Sequence, residues 1–369
     1  MFASNNKISV RQVYRLFVFD LIGISTLVLP SRLAYFSDSD GLLAIIIGGA
    51  IASAYLWYLG KIIAGMNMDV TSYLEAYLPT WLTKLILGFL GLHAVWVAGF
   101  GAYIFADVMK LGLLPEESYT LLLTLILIVA AYAVHGGIES RARIYEVLFV
   151  LLAVLLFLML LLAAFDIQWD YIGPFFDSAP GNTMKGSILV FFCFMPLFAV
   201  LFFPAYMEKG REKKMVRAVA AALWTAVFVL FLLYFILLGS FGSGALKTMR
   251  YPAVTLMSNI HLRSSFLKRF DAFMLGIWFF TLFALINLFL FYGTELLMRL
   301  FVPSGRPSRG YIWYLLGITV MVFAAAELFY YRGWSGFFQN YVCYVGMPLL
   351  VLLPGLILVV GKSRGVRKR

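Results

Sequence analysis

The first apolar segment of the chain contains the stretch LIGISTLVLP at residues 21–30, where a glycine and two hydroxyl residues interrupt an otherwise apolar run. A second interruption occurs in FFCFMPLF at residues 191–198. Glycine costs a helix interior about 1 kcal/mol relative to alanine, and proline cannot donate to the carbonyl four residues before it. We therefore expect both segments to be helices that break near mid-length, at Gly23 and at Pro196.

The surrounding composition indicates a membrane protein. Of 369 residues, 63% are hydrophobic and 13% are charged, whereas soluble domains are roughly 45–50% apolar and about 25% charged. A surface exposed to water does not carry such an apolar surplus. The formal net charge of +11 does not indicate nucleic-acid binding, because the basic residues lie between apolar segments and at both ends, as in cytoplasmic loops.

Ten membrane-spanning helices are predicted, since each needs about 20 apolar residues. They lie near residues 11–36, 41–64, 82–109, 119–135, 144–165, 185–207, 217–239, 270–300, 310–329 and 338–361. Most lysines and arginines are cytoplasmic if the amino end is inside, so both termini are expected in the cytoplasm. The first segment is expected to remain as a signal anchor, because it is too long for the apolar core of a signal peptide. A short amphipathic helix is predicted after Tyr251-Pro252 on the outer surface, with a solvated loop as the alternative.

Ten spans divide into two sets of five, and two similarly folded sets must have opposite orientations because five is odd. We expect one membrane domain over 1–369, with a first repeat at 1–165, a second repeat at 185–361 and a basic cytoplasmic tail at 362–369. Inverted repeats of this kind place a binding site near the membrane midplane, at broken helices in matching positions.

The two predicted breaks have complementary chemistry. An unwound turn at Gly23 would direct the amide N–H groups of the following half-helix at an anion, because a helix amino terminus carries a partial positive charge. Pro196 would leave the carbonyl of Phe192 as a free acceptor. Together these groups suit a zwitterionic amino acid. The alternative is that Gly23 only permits close helix packing and that Pro196 only kinks its helix.

Ionisable residues within spans are costly and often functional. Asp20 and His93 are therefore candidates for a proton or water path. Arg15 is expected to lie with Asp20 in an entrance on the cytoplasmic side. The alternative for His93 is a neutral side chain bonded to a neighbouring helix. Cys193 and Cys343 lie in apolar runs and are expected to be packing residues. The sequence contains no motif for a phosphate loop, a metal cluster or a nucleophile with its base, so neither a cofactor nor an enzymatic activity is expected.

Several motifs together resemble a known family: the B subunits of nutrient germinant receptors in spore-forming bacteria (GerAB/GerKB type), within the amino acid–polyamine–organocation transporter superfamily. The motifs are KISVRQ at 7–12, Leu29-Pro30, GIESRA at 137–142, and YPAVTLM at 251–257 followed by Phe266, Arg269, Asp271 and Trp278. The resemblance extends from Lys7 to about Lys362, which is nearly the whole chain.

This resemblance implies a leucine-transporter-like fold of ten helices, with a germinant pocket between spans one, three, six and eight. It also implies assembly with an A and a C subunit in the spore inner membrane. Carried over by position, the pocket would be lined by Gly23, Ile24, Ser25, Thr26, Val97, Phe192, Phe194, Met195, Pro196 and Tyr292. The bulky residues before Pro196 leave little room, which favours a small ligand.

The leading hypothesis is therefore a receptor subunit that binds a small nutrient, such as an amino acid, and signals to partner subunits within the lipid bilayer. The first alternative is a proton-coupled amino-acid transporter in which Asp20 or His93 titrates. The second alternative is a structural or ion-conducting subunit with no ligand of its own.

Overall fold

The computed structural model describes residues 7–66, 69–259, 275–302, 310–333 and 335–363, and these ranges contain helices and turns but no β-strand. The predicted all-α class is therefore confirmed. The α-helices are α1 (Val10–Ser37), α2 (Gly41–Gly65), α3 (Val70–Tyr77), α4 (Thr80–Gly112), α5 (Tyr119–His135), α6 (Gly137–Ala163), α7 (Pro180–Cys193), α8 (Glu212–Leu246), α9 (Pro252–Asn259), α10 (Gly276–Phe301), α11 (Tyr311–Tyr331), α12 (Ser335–Tyr341) and α13 (Met347–Ser363).

In the described part of the chain, seven helical stretches are long and apolar enough to cross a membrane. The number is eight if the bent pair Pro180–Cys193 and Met195–Leu201 forms one span. One of the seven, Val10–Gly65, combines α1 and α2, which only the short 3₁₀ turn Asp38–Asp40 separates. The composition thus predicted a multi-pass membrane protein correctly.

The predicted break in the first span is wrong, because α1 is one continuous helix of 28 residues. Ser25 Oγ donates to the carbonyl of Leu21 at 2.6 Å, and Thr26 Oγ1 donates to the carbonyl of Ile22 at 2.8 Å. The hydroxyls thus bond to the helix itself, as serine and threonine commonly do. Gly23 instead permits close packing, since a Cβ there would lie 3.1 Å from the backbone carbon of Thr281 in α10.

The second predicted break is confirmed. After Phe194 the chain leaves α7 and continues as a 3₁₀ helix, Met195–Leu201, bent by 44° from α7. Pro196 lies in its first turn, where the missing N–H is tolerated. The N–H of Phe194 donates to the carbonyl of Phe191 at 3.0 Å and is shared with the carbonyl of Phe192, which was predicted to be a free acceptor.

The start of α1 is joined to the segment that follows the bend. The N–H of Ile8 donates to the carbonyl of Tyr206 at 2.9 Å. The ammonium of Lys7 donates to the carbonyls of Ala205 at 2.9 Å and Met207 at 3.0 Å. We call the side of the protein that holds these contacts the amino-terminal face, and the other side the opposite face.

The central helices are α1, α4 and α10. α1 packs against α8, α10, α7 and α6, while α4 packs against α10, α11 and α5. The bent helix therefore adjoins α1 at the centre, and any cavity at the bend is enclosed by helices from both halves of the chain.

The amphipathic helix predicted after Pro252 is confirmed as α9, and its buried residues face α1 and α8. Residues 260–274 lie outside the described residues. They include Phe266, Arg269 and Asp271 of the family motif and the start of the predicted span 270–300. Most of the basic tail, residues 364–369, also lies outside the described residues.

Candidate functional site

Three cavities follow one another along α1 and the bent helix. The first, which we call the vestibule, lies at the opposite face and has a volume of about 310 Å³. Arg32 and Tyr35 of α1, Tyr103 of α4, and Lys247 and Arg250 beyond α8 form much of its wall. The vestibule is therefore a polar entrance with three cationic side chains.

The second, which we call the apolar cavity, has a volume of about 60 Å³ and lies beside the bend. Its lining is mainly apolar, with the thiols of Cys193 and Cys343 among the lining groups. It shares wall residues with the vestibule, including Arg32 and Gln339. The vestibule therefore adjoins an apolar space next to the broken helix. The other lining residues are Ile24, Val28, Leu29, Phe100, Leu189, Phe192, Met195, Phe338 and Val342.

The third, the inner cavity, has a volume of only about 20 Å³. His93 of α4, Phe289 and Tyr292 of α10, and Phe202 beyond the bend contribute to its lining. Met195 lines both this cavity and the apolar cavity. The side chain directly after the bend therefore separates the two spaces.

Asp107 organises one wall of the vestibule. Tyr251 donates its hydroxyl to Asp107 Oδ2 at 2.7 Å, and Arg250 lies 2.9 Å from the same oxygen. Arg250 also donates to the hydroxyl of Tyr103 at 2.6 Å. The Tyr-Pro sequence at the start of α9 thus fastens that helix to the end of α4 and fixes one cation of the vestibule.

Arg32 stands out among the vestibule cations. It is exposed and forms no ion pair with any residue that the structure describes, whereas Lys247 pairs with Asp38 and Arg250 pairs with Asp107. A guanidinium presents planar donors that match a carboxylate in two parallel hydrogen bonds. Arg32 at the mouth of the apolar cavity is therefore available to hold an anionic group.

A buried ion pair lies deeper in the protein. Arg141 Nη2 donates to Asp20 Oδ1 at 2.6 Å, and the two side chains are 2% and 0% exposed. The expectation that Arg15 shares its surroundings with Asp20 is wrong, since Arg15 pairs with Glu146 at 2.8 Å. The predicted span 144–165 begins after Arg141, but α6 begins at Gly137 and carries Arg141 in its second turn.

Several polar groups around this pair lack a partner among the described residues. They include Asp20 Oδ2, Nε and Nη1 of Arg141, Oδ1 of Asn287 and the hydroxyl of Tyr292. The hydroxyl of Tyr145 is within interaction distance of Arg141 and Asn287, and all five residues are buried. We call these residues the polar cluster. Buried polar groups are nearly always hydrogen-bonded, so the concentration of such groups on α1, α6 and α10 makes this cluster a candidate site for water or a polar ligand. The sequence reasoning missed Arg141 and Tyr145. Their spacing of four residues, which places both on one face of α6, was the available signal.

The predicted site residues separate into two groups. Ile24, Phe192 and Met195 line the apolar cavity, and His93, Met195 and Tyr292 line the inner cavity. The remaining residues are buried between helices and line none of the three cavities; they are Asp20, Gly23, Ser25, Thr26, Val97, Phe194 and Pro196.

Two of these side chains have partners that explain their burial. Thr26 Oγ1 accepts from the indole N–H of Trp278 at 3.0 Å. His93 Nδ1 is hydrogen-bonded to the hydroxyl of Tyr341 at 3.0 Å. Such a bond to a neighbouring helix is what the alternative interpretation of His93, a neutral structural side chain, predicts.

The sequence profile of a family described as "Spore germination protein" (Spore_permease) matches residues 7–328. The chain belongs to this family. Spore germination protein A2 of Bacillus subtilis (strain 168) is 22% identical over 355 residues, covering 94% of this chain and 93% of that protein. Spore germination protein KB of the same strain is 23% identical over 384 residues, covering 98% and 96%. These relatives confirm the resemblance to germinant receptor subunits of the B type.

The fold is similar to that of a solved transporter, a Na⁺-coupled sialic acid symporter in a substrate-bound outward-open state. The TM-score is 0.67 at 14% identity, covering 95% of this chain and 79% of the symporter. This spore germination protein therefore has a transporter-like fold. Its family and fold are those of a permease-like membrane protein and not of an enzyme.

Proposed function

We propose that this protein is the nutrient-binding B subunit of a spore germinant receptor, which binds a small nutrient such as an amino acid and signals to A and C subunits. The observation that carries the proposal is the apolar cavity beside the bend, which adjoins a vestibule where Arg32 forms no ion pair with a described residue. Ligand sites are typically apolar spaces with a few polar groups that fix orientation.

The proposed ligand spans the mouth of the apolar cavity. Its carboxylate binds Arg32, and its side chain enters the space beside Ile24, Phe192 and Met195. This mode replaces the backbone donors predicted at Gly23, because the continuous α1 keeps its N–H groups within the helix. The volume of about 60 Å³ suits a small apolar side chain and supports the expectation of a small ligand.

Signalling is proposed to act through the bend. Met195 lies between the ligand and the inner cavity, so a ligand that displaces this side chain favours one arrangement of the 3₁₀ segment over another. A shift from 1:99 to 99:1 between two states requires about 5.5 kcal/mol of differential binding energy. A charge-assisted hydrogen bond contributes about 1.5–3 kcal/mol, and burial of the side chain adds to this.

The proposal includes the architecture expected from the sequence. It consists of ten spans in two inverted repeats, 1–165 and 185–361, within one membrane domain, with both termini cytoplasmic and the protein in the spore inner membrane. Helices within each of the ten predicted segments support the count. The bent helix at the start of the second repeat faces a continuous α1 in the first, so the repeats differ at their matching positions.

Spores that carry single variants provide the test. Arg32→Gln is expected to raise the nutrient concentration for half-maximal germination by on the order of 10–100-fold, the equivalent of one charge-assisted hydrogen bond. Met195→Trp is expected to abolish the response by filling the apolar cavity. Lys185→Gln removes an exposed charge outside the three cavities and serves as the control. Nutrient responses equal to wild type for both site variants, at matched protein levels, contradict the proposal.

Proton-coupled amino-acid transport is the second candidate function. It is favoured by the buried carboxylate of Asp20, one oxygen of which has no partner among the described residues. It predicts concentrative uptake of an amino acid, driven by a pH gradient, into vesicles that contain this chain alone. Asp20→Asn is expected to abolish that uptake. Oriented vesicles of folded protein that accumulate no amino acid would rule out transport and leave the receptor proposal intact.

A further inference from the structure

A second charged cavity lies far from the three described above. On the amino-terminal face, the ends of α2 and α8 enclose a cleft of about 440 Å³. Its walls carry three cations, Lys61 of α2 and Lys213 and Arg217 of α8, together with one acid, Glu212. No residue of the cleft lines the vestibule, the apolar cavity or the inner cavity.

The shape of the cleft follows from helix packing. A Cβ at Gly60 would lie 3.1 Å from Val216 Cγ1, so α2 and α8 are in close contact at this level. α2 ends at Gly65 and α8 begins at Glu212. The cleft therefore lies at the polar ends of two closely packed helices, where a membrane-spanning helix meets the lipid headgroups.

The charge of the cleft favours an anion. Lys61, Lys213 and Arg217 form no ion pair with any residue in the described ranges. Glu212 offsets only one of these three positive charges, and its Oε1 accepts from the N–H of Gly210 at 3.1 Å, so the lining keeps an excess of positive charge. The first turn of α8 has no side-chain cap, and its N–H groups add the positive end of a long helix that is regular up to a kink at Gly242.

The surface beside the cleft is apolar and faces outward. On α8, Lys213 and Arg217 are followed at helical spacing by Trp224 and Phe228, which are 46% and 60% exposed. On α2 the ammonium of Lys61 lies 3.5 Å from the ring centre of Trp57, which is 63% exposed. Each helix thus presents cations at its end and exposed apolar side chains along the same face toward the membrane.

We propose that this cleft binds an anionic phospholipid, with the phosphate held by Lys61, Lys213 and Arg217 and the acyl chains lying along Trp57, Trp224 and Phe228. Basic pockets between helices on one side of a membrane recognise lipid headgroups in this way. The apolar stripe favours a lipid over a free phosphate compound, because a soluble phosphate gains nothing from it.

Native mass spectrometry of the purified full-length protein in detergent tests the proposal. The probes are dioleoyl phosphatidylglycerol, dioleoyl phosphatidylcholine and soluble glycerol phosphate. The cleft variant replaces Lys61, Lys213 and Arg217 with glutamine. The matched control variant replaces three basic residues of the same loop region that do not line the cleft, namely Lys209→Gln, Arg211→Gln and Lys214→Gln.

Wild type and the control variant are expected to bind one phosphatidylglycerol at least tenfold more tightly than phosphatidylcholine. At about 1 kcal/mol for each cation, the cleft variant is expected to lose affinity for phosphatidylglycerol by on the order of 100-fold. The single variant Arg217→Gln, which changes one exposed residue, is expected to lose about fivefold in affinity for phosphatidylglycerol. Equal phosphatidylglycerol affinity in the cleft and control variants would overturn the site. If glycerol phosphate binds as tightly as phosphatidylglycerol, the ligand is not a lipid and the cleft is a site for a soluble phosphate compound.

Discussion

Replacing Asp20 with asparagine leaves the guanidinium of Arg141 without its counter-ion in the protein interior. The two side chains are 0% and 2% exposed and 2.6 Å apart, and Nε and Nη1 of Arg141 already lack partners in the described structure. Removing one member of such a buried pair costs about 3–5 kcal/mol. We expect Asp20→Asn to lower the free energy of unfolding by this amount, because an arginine cannot discharge itself by losing a proton.

The reverse substitution, Arg141→Met, leaves a carboxylate that can become neutral by binding a proton. Its destabilisation is therefore expected to decrease as the pH is lowered from about 8 to about 6, by up to about 1.4 kcal/mol for each pH unit. The loss in Asp20→Asn is expected to stay constant over this range. The double variant removes both charges and is expected to be more stable than either single variant.

The assay is reversible unfolding of the full-length protein in detergent micelles by sodium dodecyl sulfate, followed by circular dichroism. Arg143→Met is the matched control, because Arg143 lies two residues further along α6 and is 50% exposed in its pair with Glu139. Surface pairs contribute about 0–1 kcal/mol. If Asp20→Asn loses no more stability than Arg143→Met, or if the losses of the two single variants simply add in the double variant, the reasoning about the buried pair is refuted.

Three further predictions concern packing and access. Gly23→Ala places a methyl group 3.1 Å from the backbone of α10 and is expected to lower the free energy of unfolding by about 1–3 kcal/mol in the same assay. The control Gly88→Ala, where no atom lies within 4 Å of the added methyl group, is expected to be neutral or to raise it by up to about 1 kcal/mol. Equal effects of the two substitutions would contradict the packing role of Gly23. Tyr251→Phe removes the donor to the buried carboxylate of α4 and is expected to cost about 1–3 kcal/mol, whereas unchanged stability would show that this bond does not fasten α9. Cys193 and Cys343, the two cysteines of the chain, line the apolar cavity, so an activating nutrient is expected to slow their labelling by a maleimide; labelling at the same rate with and without the nutrient would exclude the cavity as its site.

The composition and one proline were enough to predict the class of fold and the bend. A high apolar fraction can only be accommodated in a membrane, and Pro196 removes a helix hydrogen bond whatever surrounds it. The apolar fraction is a property of the whole chain and the effect of a proline is local, so neither depends on tertiary contacts. The bend at Phe194 accordingly lies within two residues of Pro196.

The continuity of α1 depends on tertiary contacts and could not be predicted in the same way. Gly23, Ser25 and Thr26 are equally compatible with an unwound turn and with a helix. The helix forms because the hydroxyls bond back to carbonyls of α1 and because Thr281 of α10 occupies the space that Gly23 leaves. Thr281 is more than two hundred residues away in the sequence.

Arg141, the cation of the polar cluster, was missed for a related reason. Counting charges in loops assigns Arg141 to the cytoplasm, because it follows a short apolar segment. The chain reverses direction between α5 and α6 at Gly137, whose φ of 74° suits glycine. Because α6 therefore begins before the predicted start at residue 144, Arg141 lies within the helix and is buried. Its partner Asp20 is 121 residues away, and a single sequence does not reveal that pairing.

The tether between the amino terminus and the end of the bent helix has a mechanical consequence. Lys7 and Ile8 hold main-chain carbonyls of Ala205, Tyr206 and Met207, and these carbonyls exist whatever side chains occupy the positions. A tilt of the segment beyond the bend must therefore also move Lys7 and Ile8, which directly precede α1. In the proposed receptor, motion that starts at a bound nutrient would reach Lys7 and Ile8 on the amino-terminal face, which is where we expect partner subunits to detect it.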